Sequence, residues 1–226
     1  ELRIPIRVYE KSDGDPEAVC LYFHGGGFVV GGLESHDDVC AELCDATGFR
    51  IVSVDYRLAP EHLHPAAFLD CLAAFEHVAS TCELPIILCG DSAGGNLAAA
   101  VTHHVRRHER APVGQVLIYP GLGGETDQGS YLTHAQAPML TTRDTLYYAE
   151  IRGGGLDWSA DSRFAPLNDP DFSGLPNTVV ISAECDPLSD DGRNYCEKIN
   201  ATGGKALWNN EPGLVHGYLR ARHSVD

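Results

Sequence analysis

The chain has 226 residues, 43% of them hydrophobic and 21% charged, a balance that suits one α/β domain and excludes disordered and fibrous classes. Its 16 Lys and Arg stand against 32 Asp and Glu, a formal net charge of −16, and so acidic a surface repels phosphate backbones and anionic headgroups, which sets nucleic-acid binding aside. No run of 18 apolar residues predicts a membrane span, and no basic region leading into an apolar stretch opens the sequence.

Glu1-Leu2-Arg3-Ile4 reads as the entry to a strand, and Arg3 to Tyr9 alternates like one exposed on one face. Ala18 to Phe23 is a short apolar strand that ends at His24-Gly25-Gly26-Gly27. Ser35 to Thr47 follows as a helix with Ser35 as its cap and Val39, Leu43 and Ala46 on its apolar face. Arg50 to Asp55 is the next buried strand, and Ala66 to Thr81 a helix with Leu69, Leu72, Ala73 and Val78 turned inward. Pro85 to Cys89 is a strand leading into Gly90-Asp91-Ser92-Ala93-Gly94-Gly95 and an Ala-rich helix from Gly94 to Arg110. His103, His104 and His108 on that helix are expected to face solvent.

Gln115 to Tyr119 and Thr178 to Ser182 are further buried strands, and Lys205 to Asn209 a last, less buried one. Leu188 to Ala201 is a helix stopped by Gly203-Gly204. Strand and helix alternate, which predicts a mostly parallel sheet flanked by helices, with reactive side chains at its carboxyl edge. Residues 121–171 break the rhythm with Gly, Asp, Thr and Pro around one helical stretch, Thr142 to Ile151, and read as a lid-like insertion in a single domain, 1–226.

The eight cysteines include no CxxC pair and no zinc-like Cys/His spacing. Buried free thiols are the expectation, and with them a cytoplasmic setting. The late strand offers an open sheet edge through which two copies could pair as a homodimer.

Gly90 to Gly94 is G-x-S-x-G between a strand and a helix, the setting of a nucleophile elbow. Small flanking residues let the turn lift Ser92 Oγ above the sheet, beside the free N–H groups of the helix start. The bare amides of Gly25 and Gly26, with that of Ala93, are expected to donate to an oxyanion. A serine nucleophile needs a base held by an orienter, in the chain order Ser, acid, His. Asp186 past the strand TVVIS and His216 in Gly213-Leu214-Val215-His216-Gly217-Tyr218 fill that order. Glu184 is the rival orienter, while Asp190 and Asp191 are assigned only to the dipole of the helix they start. His24 is assigned to pinning the glycine loop rather than to proton transfer, and His62 and His64 to packing. Met139 and Leu140 are candidates to line an acyl pocket.

The stretches HGGGFVVGG (24–32), VDYRLAPEHLHPAA (54–67), GDSAGGNLA (90–98), DPLSDDG (186–192) and GLVHGY (213–218) together resemble the hormone-sensitive-lipase-like esterases, the GDSAG branch of the α/β-hydrolase superfamily. That resemblance implies an α/β-hydrolase fold, the triad Ser92, Asp186 and His216, and the oxyanion donors Gly25, Gly26 and Ala93. It also implies small esters of short acyl chains as substrates, and no metal or cofactor. The YRLAPE stretch is read as bracing the loops. Relative to the family, Leu63 replaces a usual proline, the sequence starts near the first strand without an N-terminal cap, and it stops soon after His216. The expectation is therefore a reduced lid over an open pocket, or a pocket completed by another chain. A non-catalytic small-molecule receptor on the same fold is the alternative from another class, and amide hydrolysis by the same triad a third reading.

Overall fold

The computed structural model describes residues 3–12 and 14–224, so Glu1 and Leu2 of the expected strand entry lie outside the described residues. Seven strands form one sheet: β1 (Ile6–Tyr9), β2 (Val19–Phe23), β3 (Arg50–Val54), β4 (Ile86–Asp91), β5 (Gly114–Ile118), β6 (Asn177–Cys185) and β7 (Ala206–Val215). Their order is β1-β3-β2-β4-β5-β6-β7, and β1 alone runs antiparallel to its neighbour. The helices are α1 (Asp37–Thr47), α2 (Ala66–Thr81), α3 (Ala93–Val105), α4 (Ser130–Thr133), α5 (Thr142–Gly153) and α6 (Ser189–Ala201).

Residue alternation along β2 explains the layering. Val19, Leu21 and Phe23 point into a core shared with α2, α3 and α6, while Cys20 and Tyr22 point into a second core against α1. All five residues of β2 are buried, as a strand covered on both faces requires.

Several elements depart from expectation. α2 buries Ala67, Phe68, Cys71, Ala74, Phe75 and Val78, whereas Leu69 and Ala73 face solvent. Two phenylalanines bury more apolar area than the leucines would, and the same rotation turns Asp70 inward, where Arg57 grips both carboxylate oxygens. α1 hides Val39, Cys40 and Cys44 but leaves Ala46 exposed. Ser35 does not cap α1; its hydroxyl closes a turn on Gly32 within a short 3₁₀ segment, Glu34–His36. His103 on α3 is buried, not solvent-facing, between the rings of Phe172 and Tyr195. β6 and β7 are longer than predicted and stay paired beyond the end of β5, with a register irregularity between Ala183 and Cys185.

Candidate active site

The end of β4 and the start of α3 make a turn that only small residues permit. Ser92 sits at φ 53° and ψ −116°, a strained backbone for a residue with a Cβ. A Cβ on Gly90 would strike the carbonyl of Gly94, and one on Gly94 would strike the carbonyl of Phe23 at the end of β2. The turn is tied to β5 by Ser92 N–H donating to Ile118 O at 2.8 Å. Ser92 Oγ thereby stands above the carboxyl edge of the sheet.

The extended tips of β6 and β7 deliver the two other side chains. Ser92 Oγ lies 2.8 Å from His216 Nε2, and His216 Nδ1 lies 2.7 Å from Asp186 Oδ2. Asp186 has no solvent exposure, and its other oxygen accepts the N–H of Leu188 at 2.9 Å. The ring of Tyr119 flanks the imidazole at 4.8 Å between centroids. Glu184 is exposed and accepts the N–H of Gly213, so it steadies the loop before His216 and leaves Nδ1 to Asp186.

The glycine loop corrects one expected donor. Gly25 N–H is already given to Asp91 Oδ1 at 2.9 Å, so it cannot also serve a substrate oxygen. No described residue accepts from the N–H of Gly26, Gly27 or Ala93, and all three residues line the cleft above Ser92. The free donors are therefore displaced by one residue along the loop. No local signal distinguishes Gly25 from Gly27, because the bond that occupies Gly25 joins residues 66 positions apart. Gly27 at φ 62° lies against the Tyr148 ring, where a Cβ would collide. His24 is fully buried, stacked on Tyr56 at 4.3 Å, and holds Gly25 O through Nδ1. Tyr56 OH donates to His24 O at 2.6 Å, and Ala59 N–H to Phe28 O at 2.8 Å, so the YRLAPE stretch does brace this loop.

Residues 121–171 fold over the same edge and wall a cleft of about 1250 Å³. Leu140 is buried beside Tyr131, Leu188 and Tyr148 in its wall, and Met139 is 78% exposed at its rim. Asp191 does more than complement a helix dipole. Its buried carboxylate accepts Leu122 N–H at 2.6 Å, Gly124 N–H at 3.3 Å and Tyr131 OH at 3.3 Å. Burial outweighs these bonds and pushes its carboxyl up to about 6. Asp190 likewise accepts Ser130 N–H at 2.9 Å. Both acids thus anchor the excursion to α6.

Sequence reasoning also missed Arg152 on α5. Its buried guanidinium has no carboxylate partner among the described residues, lies 3.7 Å from the Phe28 ring centroid and 4.2 Å from that of Phe164, and donates to the carbonyls of Arg163 and Phe164. Burial pushes its pKa down to about 9. Through Phe28 it ties the excursion to the glycine loop. His64 is buried and pairs with Asp161 at 3.1 Å. Among the described residues, no three His, Cys, Asp or Glu side chains cluster closely enough to hold a metal ion. No helix among them is long and apolar enough to cross a membrane.

A family model described as alpha/beta hydrolase fold matches residues 20–220. The carboxylesterase NlhH of Mycobacterium tuberculosis is 40% identical across 96% of this chain and 71% of its own length. An ethyl acetate hydrolase of Pseudomonas putida is 33% identical across 96% of the chain and 72% of its own. The crystal structure of an esterase from Pyrobaculum calidifontis superposes with a TM-score of 0.93 at 35% identity, covering 98% of this chain and 75% of that one.

Proposed function

From the premise that this chain belongs to the hormone-sensitive-lipase-like esterases of the α/β-hydrolase fold, we propose that it hydrolyses small carboxylic esters with Ser92 as nucleophile, His216 as base and Asp186 as orienter. One observation carries the assignment of roles. A hydroxyl, an imidazole and a buried carboxylate stand in hydrogen-bonding succession at 2.8 and 2.7 Å, beside three unoccupied amide donors in an open cleft.

In the first half-reaction Ser92 Oγ attacks the ester carbonyl while His216 Nε2 takes its proton. The carbonyl oxygen gains charge and is held by the N–H groups of Gly26, Gly27 and Ala93. His216 then returns the proton to the departing alcohol. Water repeats the attack on the acylated Ser92, and the acid leaves. Asp186 fixes the tautomer that points Nε2 at Ser92 and stabilises the transient imidazolium.

Short-chain esters are the substrates we assign, in line with the ethyl acetate hydrolase among the relatives and with apolar walls such as Leu140 and Leu188 in the cleft that holds Ser92. Residues 1–226 act as one α/β-hydrolase domain in this reading, with 121–171 as its lid-like insertion. The free thiols support a reducing, cytoplasmic setting, and the edge position of β7 supports pairing between two copies.

Ser92→Ala should abolish turnover of a short p-nitrophenyl ester and labelling by a fluorophosphonate probe. Turnover at the wild-type rate in that variant would refute the assignment. Unlabelled, inactive wild-type protein would instead favour the receptor reading, for which no residue of the site speaks.

A further inference from the structure

Asp91 precedes the nucleophile, is fully buried, and takes no part in the proton transfers described above. Its carboxylate is nonetheless the meeting point of four elements. Oδ1 accepts Tyr22 OH from β2 at 2.7 Å and Gly25 N–H from the glycine loop at 2.9 Å. Oδ2 lies 3.3 Å from His36 Nε2 and 3.5 Å from Tyr119 OH. A Cβ on Gly25 would collide with Oδ2, so loop and carboxylate are in direct contact.

His36 is itself buried and bound on its other side. Its Nδ1 lies 2.9 Å from Ser35 Oγ, which also lies 2.9 Å from Gly32 O. Nε2 lies 3.2 and 3.3 Å from the two oxygens of a carboxylate that can only accept, so Nε2 is the donor there. His36 thus bridges Ser35 and the carboxylate. Burial by itself would push the Asp91 carboxyl up. The hydrogen bond and charge of His36, with Tyr22 OH and Gly25 N–H, outweigh burial and hold it below the usual range.

We propose that Asp91 is a positioning residue, clamped by His36, which locks the Gly25 amide and so sets where the Gly26 and Gly27 donors stand relative to Ser92. The proposal rests on the reading of Ser92 as nucleophile. Its logic is covalent proximity. Asp91 is bonded to Ser92, and its side chain holds the loop that carries the oxyanion donors, so one residue fixes the spacing between both halves of the reaction centre. That spacing matters because an error of about 1 Å in such a site costs about 10²-fold in rate.

The test compares Asp91→Asn, His36→Gln and His36→Ala with the wild type for kcat, KM, thermal midpoint and inhibition by a methyl trifluoromethyl ketone, which mimics the tetrahedral state. In Asp91→Asn an amide replaces the carboxylate that accepts from His36 Nε2. Its kcat should fall about 10- to 100-fold, with KM within about twofold and affinity for the ketone falling in step with kcat. His36→Gln, which keeps a donor toward Asp91, should recover most of what His36→Ala loses. Wild-type kcat per folded Asp91→Asn molecule, or a rise in KM alone, would overturn the proposal. So would a deficit that vanishes once the unfolded fraction is subtracted. If Asp91→Asn does not fold, the two His36 variants decide by the same criteria. Ser92→Ala is measured alongside. An inactive Ser92→Ala with an unimpaired Asp91→Asn sinks only the positioning role, whereas an active Ser92→Ala sinks the reading of the site itself.

Discussion

Asp186 shows how much a single buried oxygen can decide. Its Oδ2 faces His216 Nδ1 at 2.7 Å while Oδ1 is occupied by Leu188 N–H, so the imidazole is held with its proton on Nδ1 and its lone pair toward Ser92. An amide in place of Oδ2 would present N–H groups to Nδ1 and favour the opposite tautomer. Asp186→Asn should therefore lower kcat about 10⁴-fold, the scale such a tautomer error costs in serine hydrolases, with a smaller effect on KM. Steady-state kinetics on a short ester checks this, and a loss under about tenfold would remove Asp186 from the proposed role. At this same scale the glycine loop was only half legible. Three consecutive glycines announce backbone donors, but which amides are free depends on Asp91, a partner that is remote in sequence.

Among the elements, α3 carries the clearest disagreement between pattern and structure. An Ala-rich helix with histidines near its end reads as having a polar tail, yet His103 is 3% exposed. The tail is covered by Phe172 and Tyr195, which come from segments far along the chain. Its Nδ1 is 3.2 Å from Asp169 Oδ2 but not aligned for a hydrogen bond. Burial pushes its pKa down to about 4, with Arg106 adding to the shift and Asp169 and Asp171 opposing it. The unfolded chain therefore takes up this proton near 6.5 and the folded one only near 4. Between those values the unfolded state binds more protons, so stability falls as pH falls, by about 3 kcal/mol across the window. Denaturant unfolding from pH 7 to 4 should show a shallower acid slope for His103→Phe than for the wild type, whatever packing cost it carries at pH 7. Parallel slopes would show that His103 is not the acid-sensitive group. α2 gives the companion case: its periodicity predicts a helix of the right length, but the rotation is set by Phe68, Phe75 and the Arg57 pairing of Asp70.

At the scale of the whole molecule, the two cores on either face of the sheet account for the cysteines. Six are buried and Cys82 and Cys185 are half-buried; all eight are free. They fill space as small hydrophobes, and burial pushes thiols such as Cys40 up, to about 12. Thiol titration without reductant should count eight groups in denaturant and far fewer in the native protein, and adding reductant should leave the thermal midpoint unchanged. A count below eight in denaturant would reveal a bridge. The same scale explains why the site lies where it does. β4, β6 and β7 are parallel, so Asp91-Ser92, Asp186 and His216 all emerge at one edge, the edge from which 121–171 sets out after β5.

By itself the sequence determined the element alternation, the tight turn at Gly90–Gly94 and the chain order of Ser92, Asp186 and His216. Each is a local matter of apolar periodicity, glycine permissiveness and residue chemistry, written over a few neighbouring positions. Only the tertiary structure decided which amides of the glycine loop are free, which way α2 turns, that His103 is buried, and that Asp191 and Arg152 tie the excursion down. Those outcomes depend on partners distant along the chain. A buried polar group or an apolar face takes its place from whatever satisfies or covers it, and that is settled when the chain folds back on itself.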